Sequence, residues 1–474
     1  MQNKKFLLLV SLINLTLLGV GVTEPVRAEA PRETVLTVDQ AIELAIQHNL
    51  QYQLAEGEIK IAAAKVAQAK SGYLPKATLS GGVSRLSEVP DIVELGDKLA
   101  DLNNGFYNLG KILQASNPYI SDLASKLNLA EGPDDGLTYY SLNLRVEQPL
   151  YTGGKLTALN KQAENNREYS QYNRDTVEQT LVCEVKKAYY QVVQTKQLLK
   201  TMNEAVASME GHVKEANLYY KAGQVPQLDV MRAEVKLADL KQKRLQVQNG
   251  LDLALVYFNF VLGVDPDQRY QFQDEVAYLP FGRDLATCQQ TALANRTELK
   301  AIRAKVAMAQ NAVDVVKSGK KPLVALVAAG DRTATKPFED DPDLSVSLVA
   351  SYKLLDGGMV KHQIAEAEAT VRQARTAEEL TARGIKLEVE QAYRNLQNAL
   401  ETIEVSKKVL TQAQETVRMA GVSYRAGLST ALELLDAETG LTQAKTNHNQ
   451  ALSNYQIALA QLERAIGTTR RKQS

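Results

Sequence analysis

The chain has 474 residues, room for two or three ordinary domains, and carries 55 basic and 55 acidic side chains. That balance excludes the strong basic field of a nucleic-acid binder. Aromatics are only 6%, tryptophan is absent, and Ala, Leu, Gln, Glu and Lys recur, a composition that leans towards long helices.

Residues 1–28, MQNKKFLLLVSLINLTLLGVGVTEPVRA, join a basic start at Lys4 and Lys5 to an apolar run from Phe6 to Val22 and end on Val-Arg-Ala. This reads as a secretory signal peptide, cut after Ala28 or, by the similar Ala-Glu-Ala, after Ala30. No cysteine sits near the cut, which argues against a lipid anchor. A helix is expected over about Val38 to Lys70. Two weakly alternating strands follow Pro75 and Pro322, KATLSGGVSR and LVALVAAGDR. Two clearer ones are TYYSLNLRVEQPL and DLSVSLVASYKLL, in which apolar and polar residues alternate with period two. Each has one apolar and one polar face and is long enough to cross a bilayer at a tilt. Tyr73, Tyr139, Tyr140, Tyr151 and Tyr352 fall near the strand ends, where an interfacial girdle would lie.

From Leu181 to Tyr220, apolar positions recur at four- and three-residue steps, and the same holds from Ile385 to Tyr424. A sustained 3.5-residue repeat predicts a left-handed coiled coil. The long helix, about Lys155 to Tyr220, spans roughly 99 Å, and its return helix, about Pro226 to Leu262, roughly 55 Å. Between them, YYKAGQVPQLDVMRAE carries Gly223 as a helix C-cap and Pro226 in the next first turn. SYRAGLSTALELLDAE repeats this with Gly427, 204 residues later. Gly153-Gly154 and Gly357-Gly358, and Leu262-Gly263 and Ile466-Gly467, keep the same offset. Pro75 and Pro322 lie 247 apart, so the first copy carries about 43 extra residues. The longest apolar run, LDLALVYFNFVLGV, is short and contains Asp252 and Asn259, so no helical membrane span is expected.

Two copies supply four strands per chain. A four-stranded sheet with an apolar face leaves its edges unpaired in lipid. Three chains sharing strands give twelve strands and twelve helices, the same count at both levels. Cys183 and Cys288 lack metal spacing; an exported chain allows them to pair, but two separately buried thiols are the preferred reading. No catalytic or nucleotide-binding motif occurs, and His48, His212, His362 and His448 are scattered, so neither enzyme activity, cofactor nor metal is expected.

The tandem copies, the junctions LYTGGK and LLDGGM, the paired Tyr-x-x-Gly tips and the Leu-Gly and Ile-Gly helix ends together resemble the TolC-like outer-membrane efflux protein family, over almost the whole mature chain. The resemblance implies a mainly α fold with a small transmembrane β-barrel. A homotrimer would form a twelve-stranded barrel in outer-membrane lipid and a twelve-helix periplasmic tunnel. It would serve as the passive exit duct of a tripartite efflux or type I secretion system, docking with a periplasmic adaptor protein and an inner-membrane pump. Its divisions would be a signal peptide at 1–28, a first repeat at 29–265, an inter-repeat equatorial segment at 266–284, a second repeat at 285–467 and a tail at 468–474. An insertion at about 86–137 would lie in the extracellular hairpin of the first repeat, as a lid over the barrel or an ordinary surface loop.

The resemblance also places function at the tips, with Gly223 and Gly427 as turns and adaptor docking points. Glu433 and Asp436 would form acidic rings at the entrance that attract cations. Glu433 equally fits a capping box with Thr430; Asp436 lies beyond the cap, which favours pore lining over the alternative of an acid suiting the positive end of a helix dipole. Asp229 and Tyr424 match a polar network that restrains the closed tip. The arginine expected two residues after the second tip glycine is replaced by Ser429, which leaves Arg232 or Arg425 as substitutes. A periplasmic adaptor is the alternative reading, but a typical adaptor has one hairpin per chain and many non-membrane strands.

Overall fold

The computed structural model describes residues 35–86, 137–273, 278, 280–334 and 343–469. The signal peptide, residues 87–136 of the insertion and the tail beyond 469 lie outside them. The first half runs β1 (Val35–Leu36), α1 (Val38–His48), α2 (Leu50–Ser71), β2 (Lys76–Leu86), β3 (Leu137–Tyr151), α3 (Lys155–Lys221) and α4 (Gln227–Leu262). The second runs β4 (Gln271–Phe272), α5 (Leu285–Asn295), α6 (Thr297–Lys317), β5 (Leu323–Ala334), β6 (Asp343–Ser351), α7 (Met359–Arg425) and α8 (Ala431–Ala465). No helix among the described residues is long and apolar enough to cross a membrane.

The long helices α3 and α7 have 67 residues each, about 100 Å at 1.5 Å per residue. Along α3, the heptad positions Leu181, Val185, Ala188, Val192, Met202, Val206, Met209 and Ala216 are buried. On one side α3 packs against α1, α2 and α4; on the other it packs against α6 and α8, which in turn pack against α7. The chain is therefore a curtain of helices in which a short pair stacked end to end stands beside each long one.

That stacking corrects one expectation. The opening helix is two helices, broken at Asn49, whose backbone turns extended (φ −67°, ψ 124°). Its Oδ1 accepts the N–H groups of Gln51 (2.9 Å) and Tyr52 (3.2 Å), which starts α2. Its Nδ2 donates to the Val261 carbonyl at 2.9 Å, fixing the break to the end of α4. Gly263 sits there at φ +74°, and a Cβ on it would lie 2.6 Å from the His48 carbonyl oxygen. Arg296 breaks the second copy at the matching place. Its guanidinium is nearly buried and bridges Glu298 and Glu388 at 2.8 Å each, while Arg464 also pairs with Glu388 at 2.6 Å.

The densest core surrounds these breaks. Tyr189, Phe258 and Phe272 meet with ring centroids 5.3–6.2 Å apart, and the Tyr189 hydroxyl donates to the Leu36 carbonyl at 3.0 Å. Leu36 and Phe272 belong to a two-stranded parallel ladder, β1 with β4. A matching core on the other side holds Tyr455, Leu462, Leu299, Ile385 and Val389. Cys288 is buried in it, and Cys183 is buried in α3; both are free thiols, and burial pushes both up from their ordinary pKa.

The other sheet has four strands in the order β2-β3-β5-β6, antiparallel throughout. Opposed residues share a face. One face places Leu79 beside Leu144 and Ala328 beside Val346. Along it Leu344, Val346 and Leu348 are 82%, 74% and 67% exposed, so the apolar face is uncovered in the single chain. The other face carries Thr78, Arg145, Ser345 and Ser347, and Asn143 donates a hydrogen bond to Asp331 across it. Tyr73, Tyr151 and Tyr352 are exposed near the strand ends.

Candidate functional site

The two hairpin tips lie at the helix ends remote from this sheet. Their turns are built alike. At the first, the Gly223 N–H donates to the Tyr220 carbonyl and the Gln224 N–H to that of Tyr219, both at 2.9 Å. At the second, Gly427 donates to Tyr424 (3.0 Å) and Leu428 to Ser423 (2.8 Å). This is a Schellman closure, which requires the left-handed φ of +71° and +73° at the two glycines. Pro226 is the N-cap of α4 rather than its first helical residue, because its ψ of 154° is extended.

The chemistry differs between the tips. Thr430 and Glu433 form a capping box, with each side chain accepting the other's backbone N–H at 3.3 Å. The Glu433 carboxylate therefore serves the helix start, and Asp436 stands exposed one turn later. Asp229 lies in the first turn of α4, where its carboxylate faces Arg232 of the same helix at 3.8 Å. At that length and exposure the pair contributes a few tenths of a kcal/mol, about what surface helix pairs give. Tyr424 packs edge-on against Tyr219, centroids 6.2 Å apart, which joins the end of α7 to the end of α3. Burial chiefly raises the Tyr424 phenol, with Glu215, Tyr219 and Asp229 adding to it, so Asp229 is within electrostatic reach. Arg425 is exposed at the end of α7 and its charge acts on Tyr219 and His212 of α3.

A second cluster of ties was not singled out from the sequence. Glu438 of α8 accepts hydrogen bonds from Ser208 (2.9 Å) and His212 (2.5 Å) of α3. Further from the tip, Lys445 of α8 pairs with Glu204 at 2.7 Å. On α3 the polar residues Glu204, Ser208, His212, Glu215 and Tyr219 are spaced by three or four, so they share one face. That spacing was the available signal, and it runs beside the apolar stripe that drew attention. Among the described residues no group of three His, Cys, Asp or Glu side chains is placed to hold a metal ion.

The model of the family described as "Outer membrane efflux protein" matches residues 41–264 and 289–468, both copies almost in full. The chain belongs to this family. Among relatives of this efflux protein, Protein CyaE of Bordetella pertussis is 24% identical over 429 residues, covering 88% of this chain and 81% of its own. Outer membrane protein TolC of Escherichia coli K12 is 23% identical over 349 residues, covering 69% of each. The crystal structure of outer membrane protein VceC from Vibrio cholerae superposes with a TM-score of 0.72 at 17% identity, over 91% of this chain and 96% of that one. The efflux protein is thus an outer-membrane channel with a helical extension into the periplasm, and the adaptor reading is set aside.

Proposed function

We propose that three copies assemble into a closed-tip export duct that a periplasmic adaptor and an inner-membrane pump open by docking on the tips. The observation that carries this is the four-stranded sheet. It has one exposed apolar face, one polar face and two outer edges, at β2 and β6, with no further strand paired to them among the described residues. Such a sheet reaches a stable state in lipid only by closing with others, edge to edge, with its polar face around a lumen. Three sheets make a twelve-stranded barrel. The helical curtain closes by the same rotation, and exposed Leu50, Leu54 and Phe260 on one edge have Leu380 and Leu387 available on the other.

In that assembly the mature chain begins after the signal peptide at 1–28. The repeats at 29–265 and 285–467 each supply one hairpin of strands and one of helices, and 266–284 belongs to the equator. The insertion at about 86–137 faces the exterior. Asp436, free of the capping box, carries the acidic ring at the entrance, and Glu433 adds to it only with the charge its cap leaves available. Asp229, Tyr424, Arg232 and Arg425 restrain the tip, and the turns at Gly223 and Gly427 form the docking rim.

Two measurements test this. Electron microscopy of the mature protein in detergent should show a three-fold hollow cylinder with a helical section about 100 Å long; a compact monomer or solid rod would refute it. In planar bilayers, Asp436→Asn should lower cation preference more than Glu433→Gln does. Equal or reversed effects would remove Asp436 from the ring.

A further inference from the structure

Among the ties that join the two hairpins of one chain near the tip, one runs through a histidine. His212 of α3 reaches Glu438 of α8 from Nε2 at 2.5 Å, and its Nδ1 lies 3.8 Å from Glu215 of its own helix. The side chains of His212 and Glu438 are only 22% and 15% exposed. Ser208 donates to the same Glu438 oxygen, at 2.9 Å. The arrangement belongs to one hairpin only, since Thr416 stands at the position matching His212 and Gln412 at that matching Ser208. We propose that His212 and Glu438 form a proton-dependent latch between the two hairpins, which holds the tip closed while the imidazole is charged and loosens when it is neutral. The latch rests on the reading of the chain as a tip-gated channel.

The charges around the imidazole decide its sign. Glu438 faces it from α8, Glu215 from α3 and Arg425 from α7. From α4, Lys241 is engaged with Glu210 at 2.8 Å. The hydrogen bond to Glu438 raises the imidazole above its ordinary 6.5; burial and Arg425 oppose this, and the two carboxylates reinforce it. A raised pKa means that the protonated form is the better bound one. The tie is therefore complete below the ordinary value of 6.5 and is lost as pH rises through the higher value of the folded chain. With the proton gone, Glu438 keeps only neutral donors, which bind a carboxylate less strongly than a charged one. Histidine is the side chain whose ordinary value lies nearest neutrality, and here the transition is displaced upward from it.

The test is single-channel recording of the full mature protein in planar bilayers, from about pH 5.5 to about pH 8.5 on the tip side. Wild-type open probability should rise roughly three- to tenfold across that range. His212→Gln, which keeps a hydrogen-bonding amide, should be flat with pH and more open than wild type at the acid end. A wild type that does not respond, or a His212→Gln variant that responds like wild type, would overturn the latch. Current from no variant at any pH would instead sink the channel reading. The latch is then decided by NMR titration of His212 in detergent micelles, assigned by its loss in His212→Gln. A midpoint above the ordinary imidazole value that falls in Glu438→Gln supports it, and an ordinary or lowered midpoint overturns it.

Discussion

The equator and the tip use the same long helices, yet different forces hold them. Around Tyr189, Phe258 and Phe272 the helices are joined by aromatic rings, a buried arginine network and backbone capping. Near the tip the apolar cluster shrinks to Val206, Met209, Leu240 and Leu435. There the neighbours are tied mostly by polar pairs, Glu438 with His212, Glu204 with Lys445 and Glu210 with Lys241. Apolar burial is non-directional and large, whereas the exposed pairs Glu204–Lys445 and Glu210–Lys241 contribute little each, and the mostly buried His212–Glu438 tie responds to a change of protonation. The proposed opening at one end, with the middle intact, fits this gradient.

Three substitutions probe it, and their expected effects fall in order. Phe258→Ala at the equator should cost about 3–5 kcal/mol, because the ring is fully buried between two others. Denaturant unfolding should show the whole transition shifting, and a loss under about 1 kcal/mol would mean the equator is not the anchor. Met209→Ala at the tip should cost less, about 2 kcal/mol, the low end for a buried long side chain in a small cluster. Hydrogen exchange should rise at the tip ends of α3 and α8 while the equator keeps its protection; uniform loss along α3 would erase the contrast. Thr430→Ala should cost about 1 kcal/mol, the usual value of a cap. It should also free Glu433, so cation preference should increase slightly in bilayers; a decrease would mean that the capped geometry is what presents the carboxylate.

The two regions were also unequally legible in the sequence. Period-two alternation in TYYSLNLRVEQPL and the heptads from Leu181 to Tyr220 are strong, local signals, and the strand and helix formed where they were read, although Tyr220 at the end of the stripe is exposed. The turns at Gly223 and Gly427 were legible because a Schellman closure requires the residue type that stands there. The break at Asn49 was missed, since the apolar pattern runs through it and only contact with Val261, 212 positions away in the chain, makes it a joint. The β1–β4 ladder was missed for a related reason, as two residues are too few to show a period. The His212–Glu438 tie depends on which helices become neighbours. Heptad spacing fixes a helix's apolar face but not the partner that its polar flank meets.

β2 and β6 are the outer strands of the four-stranded sheet. Each presents a row of backbone donors and acceptors with no further strand paired to it among the described residues. In the proposed three-copy barrel the membrane end draws part of its stability from neighbouring copies, so its order depends on concentration, and dilution acts on it as heat acts on the equator. On that reading, a copy in transit through the periplasm carries strand edges that invite a neighbouring strand, and meeting the right copies quickly becomes part of how this sequence reaches its fold.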